Sequence, residues 1–221
     1  AVGGLGALYG DAAVTWAEIL RAGLPPAFVA LKQAARQVGS VQIQATGTLA
    51  GNLCNASPAA DGVPVLLALD AAVELASAAG RRTLPLADFV TGPRRTALAP
   101  GEIVTALHVP DLGGEVRSGF EKLGARAYLV ISIVSLAVVL RFEAGHVAEA
   151  RLAVGAASPV PTRLPALEAA LTGRPRTAMA AAVETAHFAP LQPIDDVRAT
   201  AAYRRAAVMA LARRMLERCA T

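Results

Sequence analysis

Thr48, Gly51, Asn52, Cys54, Asn55 and Asp61 fall within one stretch, GTLAGNLCNASPAAD, from Gly47 to Asp61. A glycine lets the main chain approach a ligand with no Cβ in the way, and the small Ala50 beside Gly51 leaves further room. Successive main-chain N–H groups in such a loop make a concave anion site, and a helix starting just after it adds its positive end. Asn52 and Asn55 offer donors and acceptors, and Thr48 offers a hydroxyl. The Asp61 carboxylate repels phosphate but accepts hydrogen bonds from a ribose. A nucleotide carrying both phosphate and sugar fits that set. A plain glycine–asparagine turn fits it too, and spacing alone does not choose between them.

The flanking pattern says what must position these groups. TWAEIL starts a helix, with Thr15 as N-cap and Glu18 completing a capping box, and Gly23 closes it. Past Pro25 and Pro26, residues Phe28, Leu31, Ala35 and Val38 share one helical face up to Gly39. VQIQATG alternates Val41, Ile43 and Ala45 as a short strand should. Beyond the motif, VPVLLALDA reads as a buried helix. AAVELASAAGRRTLPLADFV reads as a hairpin turning near Ala79-Gly80-Arg81, and EIVTALHVP as a further strand. The glycine-rich DLGGE, 111–115, marks a domain boundary, giving units 1–113 and 117–219. VISIVSLAVVLRF and VAEARLAVGAA then form a long antiparallel hairpin across the Gly145 turn. The tail reads as three helices: RLPALEAALTG, TAMAAAVETAHF, and a long last one capped by Asp195 or Asp196. The opening AVGGLGALYGDAA reads as loop and short strand. The fold class expected is α+β: a partial binding domain, then a small antiparallel sheet packed by C-terminal helices.

Composition narrows the function classes. The chain has 221 residues, 54% hydrophobic and 17% charged, with much of the apolar share supplied by alanine. Its longest apolar run, Tyr128 to Leu140, contains Ser132 and Ser135 and falls short of the about 20 residues a membrane span needs. No basic stretch followed by an apolar one opens the chain. The net charge is +4, with Arg204, Arg205, Arg213, Arg214 and Arg218 clustered near the end. They recur at helical spacing without aromatic partners, which reads as a solvated helix face rather than a nucleic-acid surface. Cys54 and Cys219 form no spaced pair, and His108, His146 and His187 are scattered, so no metal site is expected. Unpaired thiols fit the cytoplasm.

The stretch TLAGNLCNASPAAD closely resembles the second flavin-binding loop of the molybdopterin dehydrogenase FAD-binding domain. That domain belongs to the medium, flavoprotein subunit of the xanthine dehydrogenase and carbon monoxide dehydrogenase class of molybdenum hydroxylases. The resemblance continues through TWAEIL, FVALKQAARQVGSVQI, LPLADFVTGPRRTALAPGEIV, GFEKLGARAYLVISIVSLAVVL and DVRATAAYRR, and so covers nearly the whole chain. It implies FAD as cofactor, with Thr48, Leu49, Ala50, Gly51 and Asn52 cradling the pyrophosphate and Cys54 and Asn55 continuing that loop. It further implies Asp61 on the ribose or adenosine side, Val104 against the isoalloxazine, Lys122 at the flavin's polar edge and Tyr128 near the ring. Read without the resemblance, Lys122 is an ordinary surface lysine, Asp61 a helix cap, Cys54 a small buried residue and Tyr128 a packing residue.

Two departures accompany the match. The family usually has Gly-Gly where this chain has Ala50-Gly51. It also carries an earlier loop of Ala-Gly-Gly-x-Ser/Thr type, whereas here VGGLGA sits too near TWAEIL to be that loop, which is expected to lie before Ala1. The function implied is electron transfer. Substrate is oxidised on a large molybdopterin subunit, electrons pass through a small iron–sulfur subunit to FAD, and they leave to NAD, a quinone or oxygen. No acid–base pair or nucleophile stands out, so no catalytic residue is expected. A flavin-free scaffold of the same kind of complex is the alternative.

Overall fold

The computed structural model describes residues 2–3 and 7–221, and side chains from Asp11 onward. Gly4, Leu5 and Gly6 of the glycine-rich opening lie outside the described residues. Strands β1 (Val2–Gly3) and β2 (Ala7–Asp11) lead into α1 (Trp16–Arg21). The Thr15–Glu18 capping box is formed in both directions. A 3₁₀ turn at Pro26–Phe28 feeds α2 (Val29–Gln37), and Gly39 follows with φ +51°, a conformation that favours glycine.

The next element departs from expectation. The stretch read as a strand is a helix, α3 (Val41–Thr46), capped by the Ser40 hydroxyl on the Ile43 amide. Val41 and Ile43 are exposed, and Gln44 is the buried residue. Its amide donates to the carbonyls of Arg36 and Val38, and so closes the end of α2. The alternation at Val41, Ile43 and Ala45 therefore had no buried face behind it.

Helices α4 (Leu49–Asn55) and α5 (Gly62–Ala68) come next. They are followed by β3 (Ala72–Ser77), β4 (Gly80–Pro85), α6 (Leu86–Phe89), β5 (Val90–Gly92), β6 (Arg95–Thr96) and β7 (Ile103–Pro110). Five strands make one sheet in the order β1-β2-β7-β3-β4. The β3–β4 hairpin forms with Ser77 opposite Gly80 across the turn, but its second strand ends at Pro85, and Leu86–Phe89, read as its continuation, is helical. Leu107 and Val109 are the buried residues of β7, while Ile103 at its start is exposed.

A second sheet has the order β11-β10-β9-β8, from β8 (Glu115–Leu123), β9 (Val134–Glu143), β10 (His146–Gly155) and β11 (Thr162–Arg163). The β9–β10 hairpin is the one the β-branched run announces. It begins at Val134, so Val130 to Ile133 precede it as irregular chain. This sheet is buried on both faces, which is why β9 reads as one apolar run rather than an alternation. Leu136, Val138, Leu140 and Phe142 face a core closed by α7 (Pro165–Leu171) and α8 (Ala201–Ala220). Ala137, Val139 and Ala153 join the other core, with Trp16, Leu53, Leu66 and Phe89. Small residues on this second face admit α5: a Cβ on Gly155 would come within 2.8 Å of Pro64 Cγ.

Two tail expectations fail. TAMAAAVETAHF forms 3₁₀ turns at Arg176–Ala178, Ala180–Ala182 and Thr185–Phe188, because Val183 and Glu184 are extended and no α-helix can run through them. Helix α8 is capped by Thr200, not by Asp195 or Asp196. Asp196 instead accepts from the amides of Arg198 and Ala199 and pairs with Arg204.

Candidate functional site

The stretch read as a loop carries a helix, α4, over Leu49–Asn55. Thr48 is the N-cap of α4, its hydroxyl accepting from the Gly51 amide at 3.0 Å. Leu49 and Leu53 turn inward, leaving Gly51, Cys54 and Asn55 on the outer face. The entry to α1 holds the helix in place: Leu49 N–H donates to Val14 C=O at 3.0 Å and Ala50 N–H to Ala12 C=O at 3.3 Å. The indole of Trp16 fills the angle between α4 and α5, and a Cβ on Gly62 would lie 2.7 Å from its Cη2. At the other end Arg94, at φ +59°, donates its main-chain N–H to Ala56 C=O and its guanidinium to Asn55. This places a cation where the helix dipole favours one.

A grip on a diphosphate by the first-turn amides does not fit this arrangement, because the hydrogens of Leu49, Ala50 and Gly51 are already donated within the protein. A dinucleotide laid along the outer face does fit. Gly51 is exposed, and a Cβ there would meet only Thr48 Oγ1, at 2.9 Å. The Asn52 side chain is half used, its Oδ1 accepting from the Gly62 amide at 3.2 Å. Cys54 is exposed, and the desolvation it does experience pushes its thiol up, so it is no primed nucleophile.

Asp61 and Lys122, assigned by resemblance to different parts of the cofactor, meet each other. Their side chains are 8% and 5% exposed, and Nζ lies 2.7 Å from Oδ2. Lys122 Nζ also donates to the carbonyls of Gln37 and Val130, each at 3.1 Å. The other oxygen of Asp61 accepts from Ser132 Oγ at 2.7 Å. Burial pushes the Asp61 carboxyl up, opposed by the Lys122 ammonium and the Ser132 hydroxyl. Asp61 immediately precedes α5 but makes no side-chain cap. Sequence reasoning missed Ser132; its signal was a hydroxyl within an apolar run.

Val104 is half-buried on β7 opposite Leu75. Tyr128 is 73% exposed, and Leu129 and Ile131 after it are exposed as well. Arg126 folds back onto the carbonyls of Tyr128 and Leu129. A cleft of about 390 Å³ adjoins the buried pair through Ser132, between Ser57–Ala59 on one side and Arg94, Arg198 and Arg204 on the other.

Comparison with known proteins decides the family. Residues 6–112 match the FAD-binding domain in molybdopterin dehydrogenase, and residues 120–219 match the CO dehydrogenase flavoprotein C-terminal domain. The chain belongs to the molybdopterin dehydrogenase flavoprotein family. Within that flavoprotein family it is 37% identical over 135 residues to the xanthine dehydrogenase FAD-binding subunit of Escherichia coli O157:H7, covering 61% of this chain and 46% of that one. It is 30% identical to the glyceraldehyde dehydrogenase medium chain of Sulfolobus acidocaldarius, over 82% of this chain and 64% of that one. The fold superposes on a chain of reconstituted CO dehydrogenase from Oligotropha carboxidovorans with a TM-score of 0.88 at 25% identity, over 96% of this chain and 74% of that one. The α+β architecture is thus that of the flavoprotein family, and the chain spans roughly half to two thirds of the curated relatives it matches.

Proposed function

We propose that this chain is the FAD-carrying, electron-transferring part of a molybdenum hydroxylase. The observation that carries the reading is the outer face of α4, where an exposed Gly51 and the free amide end of Asn52 sit on a helix anchored from beneath. FAD, when bound, supplies a site that accepts electron pairs and releases them. The chain's own residues hold and shield it. Thr48, Ala50, Gly51, Asn52, Cys54 and Asn55 present the surface along which the dinucleotide lies, with Leu49 as its inward anchor. Val104 and Tyr128 supply apolar and aromatic surface for the ring.

In this reading the units 1–113 and 117–219 work as one, since the second sheet walls both cores. Electrons arrive from a small iron–sulfur subunit, after substrate oxidation on a large molybdopterin subunit. They leave to an acceptor such as NAD, a quinone or oxygen. The unpaired Cys54 and Cys219 support a cytoplasmic setting. Among the described residues no helix is long and apolar enough to cross a membrane.

One observation favours the flavin-free scaffold: the first-turn amides and the Lys122 ammonium are satisfied without a ligand. The visible spectrum of the purified full-length protein separates the two. The absorption of oxidised flavin, present in stoichiometric amount, supports the first reading. A colourless protein that takes up no added FAD refutes it.

A further inference from the structure

Lys122 sits at the end of β8, Asp61 just before α5, and Ser132 at the end of the irregular segment Gly124–Ile133. Their side chains are buried, and they join three separate parts of the chain. An ammonium has three hydrogens to donate, and Lys122 directs them to Asp61 Oδ2, Gln37 C=O and Val130 C=O. The second oxygen of Asp61 is taken by Ser132. Both contacts on the segment, at Val130 and Ser132, lie on its C-terminal side, and the Ile133 amide donates to Leu123 C=O at 2.8 Å, which closes the segment's neck. Beside these ties stand Tyr128, Leu129 and Ile131, each more than half exposed.

We propose that Asp61, Lys122 and Ser132 form a buried latch, complete within the protein, that pins the 124–132 segment to the α2 terminus and to the start of α5. In this arrangement Lys122 is saturated by protein oxygens, and each Asp61 oxygen accepts from a protein donor. The latch is closed before any dinucleotide arrives, so it does not depend on the flavin reading above. Replacing a whole buried ion pair by apolar groups often costs little net stability. Removing one partner leaves an uncompensated charge, whereas removing both leaves none. That asymmetry is the signature to look for.

The test uses the full-length protein, both as isolated and after its flavin is stripped. Trypsin cleavage after Arg126, an exposed residue within the segment, reports on pinning. We expect Lys122→Met and Asp61→Asn each to speed that cut at least tenfold in the stripped protein. Ser132→Ala should speed it less, and Ser132→Thr, which keeps the hydroxyl, should restore the parental rate. The double variant Asp61→Asn with Lys122→Met should be cleaved more slowly than Lys122→Met alone. Should Lys122→Met fail to fold, the double variant must fold where the single does not. Parental cleavage rates in the stripped Lys122→Met and Asp61→Asn proteins would overturn the latch. So would an acceleration seen only with flavin bound, or a double variant as damaged as the sum of the singles.

Discussion

Replacing Arg204 by Met removes the one buried guanidinium of α8 that ties the helix to both the second sheet and the preceding loop. Arg204 is 3% exposed. Its Nη1 donates to Ile133 C=O and, at 2.9 Å, to Ala156 C=O, while Nη2 reaches Asp196 Oδ1 at 2.6 Å. Methionine keeps much of the apolar stem but supplies no donor. Two main-chain carbonyls lose their partner, each costing about 1–3 kcal/mol if left unsatisfied. Breaking a buried charge pair costs about 3–5 kcal/mol. These costs overlap, and Asp196 keeps the Arg198 guanidinium and two amides, so a total of about 3–5 kcal/mol is expected rather than the sum. For a chain of this length each kcal/mol shifts the midpoint by about 2–4 °C, giving a fall of roughly 6–20 °C in Tm. Thermal unfolding followed by circular dichroism measures it, with Arg205→Met, an exposed neighbour, as control. A fall within about 2 °C of that control would refute the reasoning, since a network of this burial cannot be lost at surface cost.

Other consequences follow from the same geometry. Gly155→Ala places a Cβ 2.5 Å from Ser135 Oγ and 2.8 Å from Pro64 Cγ; the ring cannot rotate away, so a loss of about 1–3 kcal/mol is expected in urea unfolding. Acid should also weaken the fold. Hydrogen bonds from Arg82 and then the Ala99 amide hold the Glu102 carboxyl at about 2. Burial raises Asp196, but the amides of Arg198 and Ala199 and the guanidiniums of Arg204 and Arg198 outweigh it and hold that carboxyl at about 2 as well. Both folded values lie below the ordinary ones of 4.5 and 3.8, so the stability these groups lend is present above them and is lost as pH falls toward about 2. Asp196→Asn should flatten the acid limb of a stability–pH profile, and an unchanged slope would count against the assignment.

Local signals were legible where the chain's own neighbours decide the structure. The Thr15–Glu18 box, the β3–β4 and β9–β10 hairpins and the buried α5 are each set by contiguous residues. The strand read at 41–47 failed because three alternating residues fit a short helix equally well, and Ser40 supplied the cap. The motif was read as loop for its glycine and asparagines, although Thr48 three residues before Gly51 was a cap signal already on the page. Arg204 could have been found: it stands four residues before Val208 on the face that continues through Leu211 and Met215. The Asp61–Lys122 contact could not, because 61 positions separate its partners and only the folded sheet brings them together.

Binding of FAD along the outer face of α4 is tested most directly by Gly51→Leu. The leucine Cβ would come 2.9 Å from Thr48 Oγ1, so the cap hydroxyl must turn aside at a cost of about 1 kcal/mol, which offsets the about 0.5–1 kcal/mol by which leucine suits a helix better than glycine. The fold should therefore survive with its Tm little changed, while FAD affinity in the full-length protein falls on the order of tenfold or more, about 1.4 kcal/mol at least. A Gly51→Leu protein that unfolds at the parental temperature and retains its full complement of flavin would contradict the account.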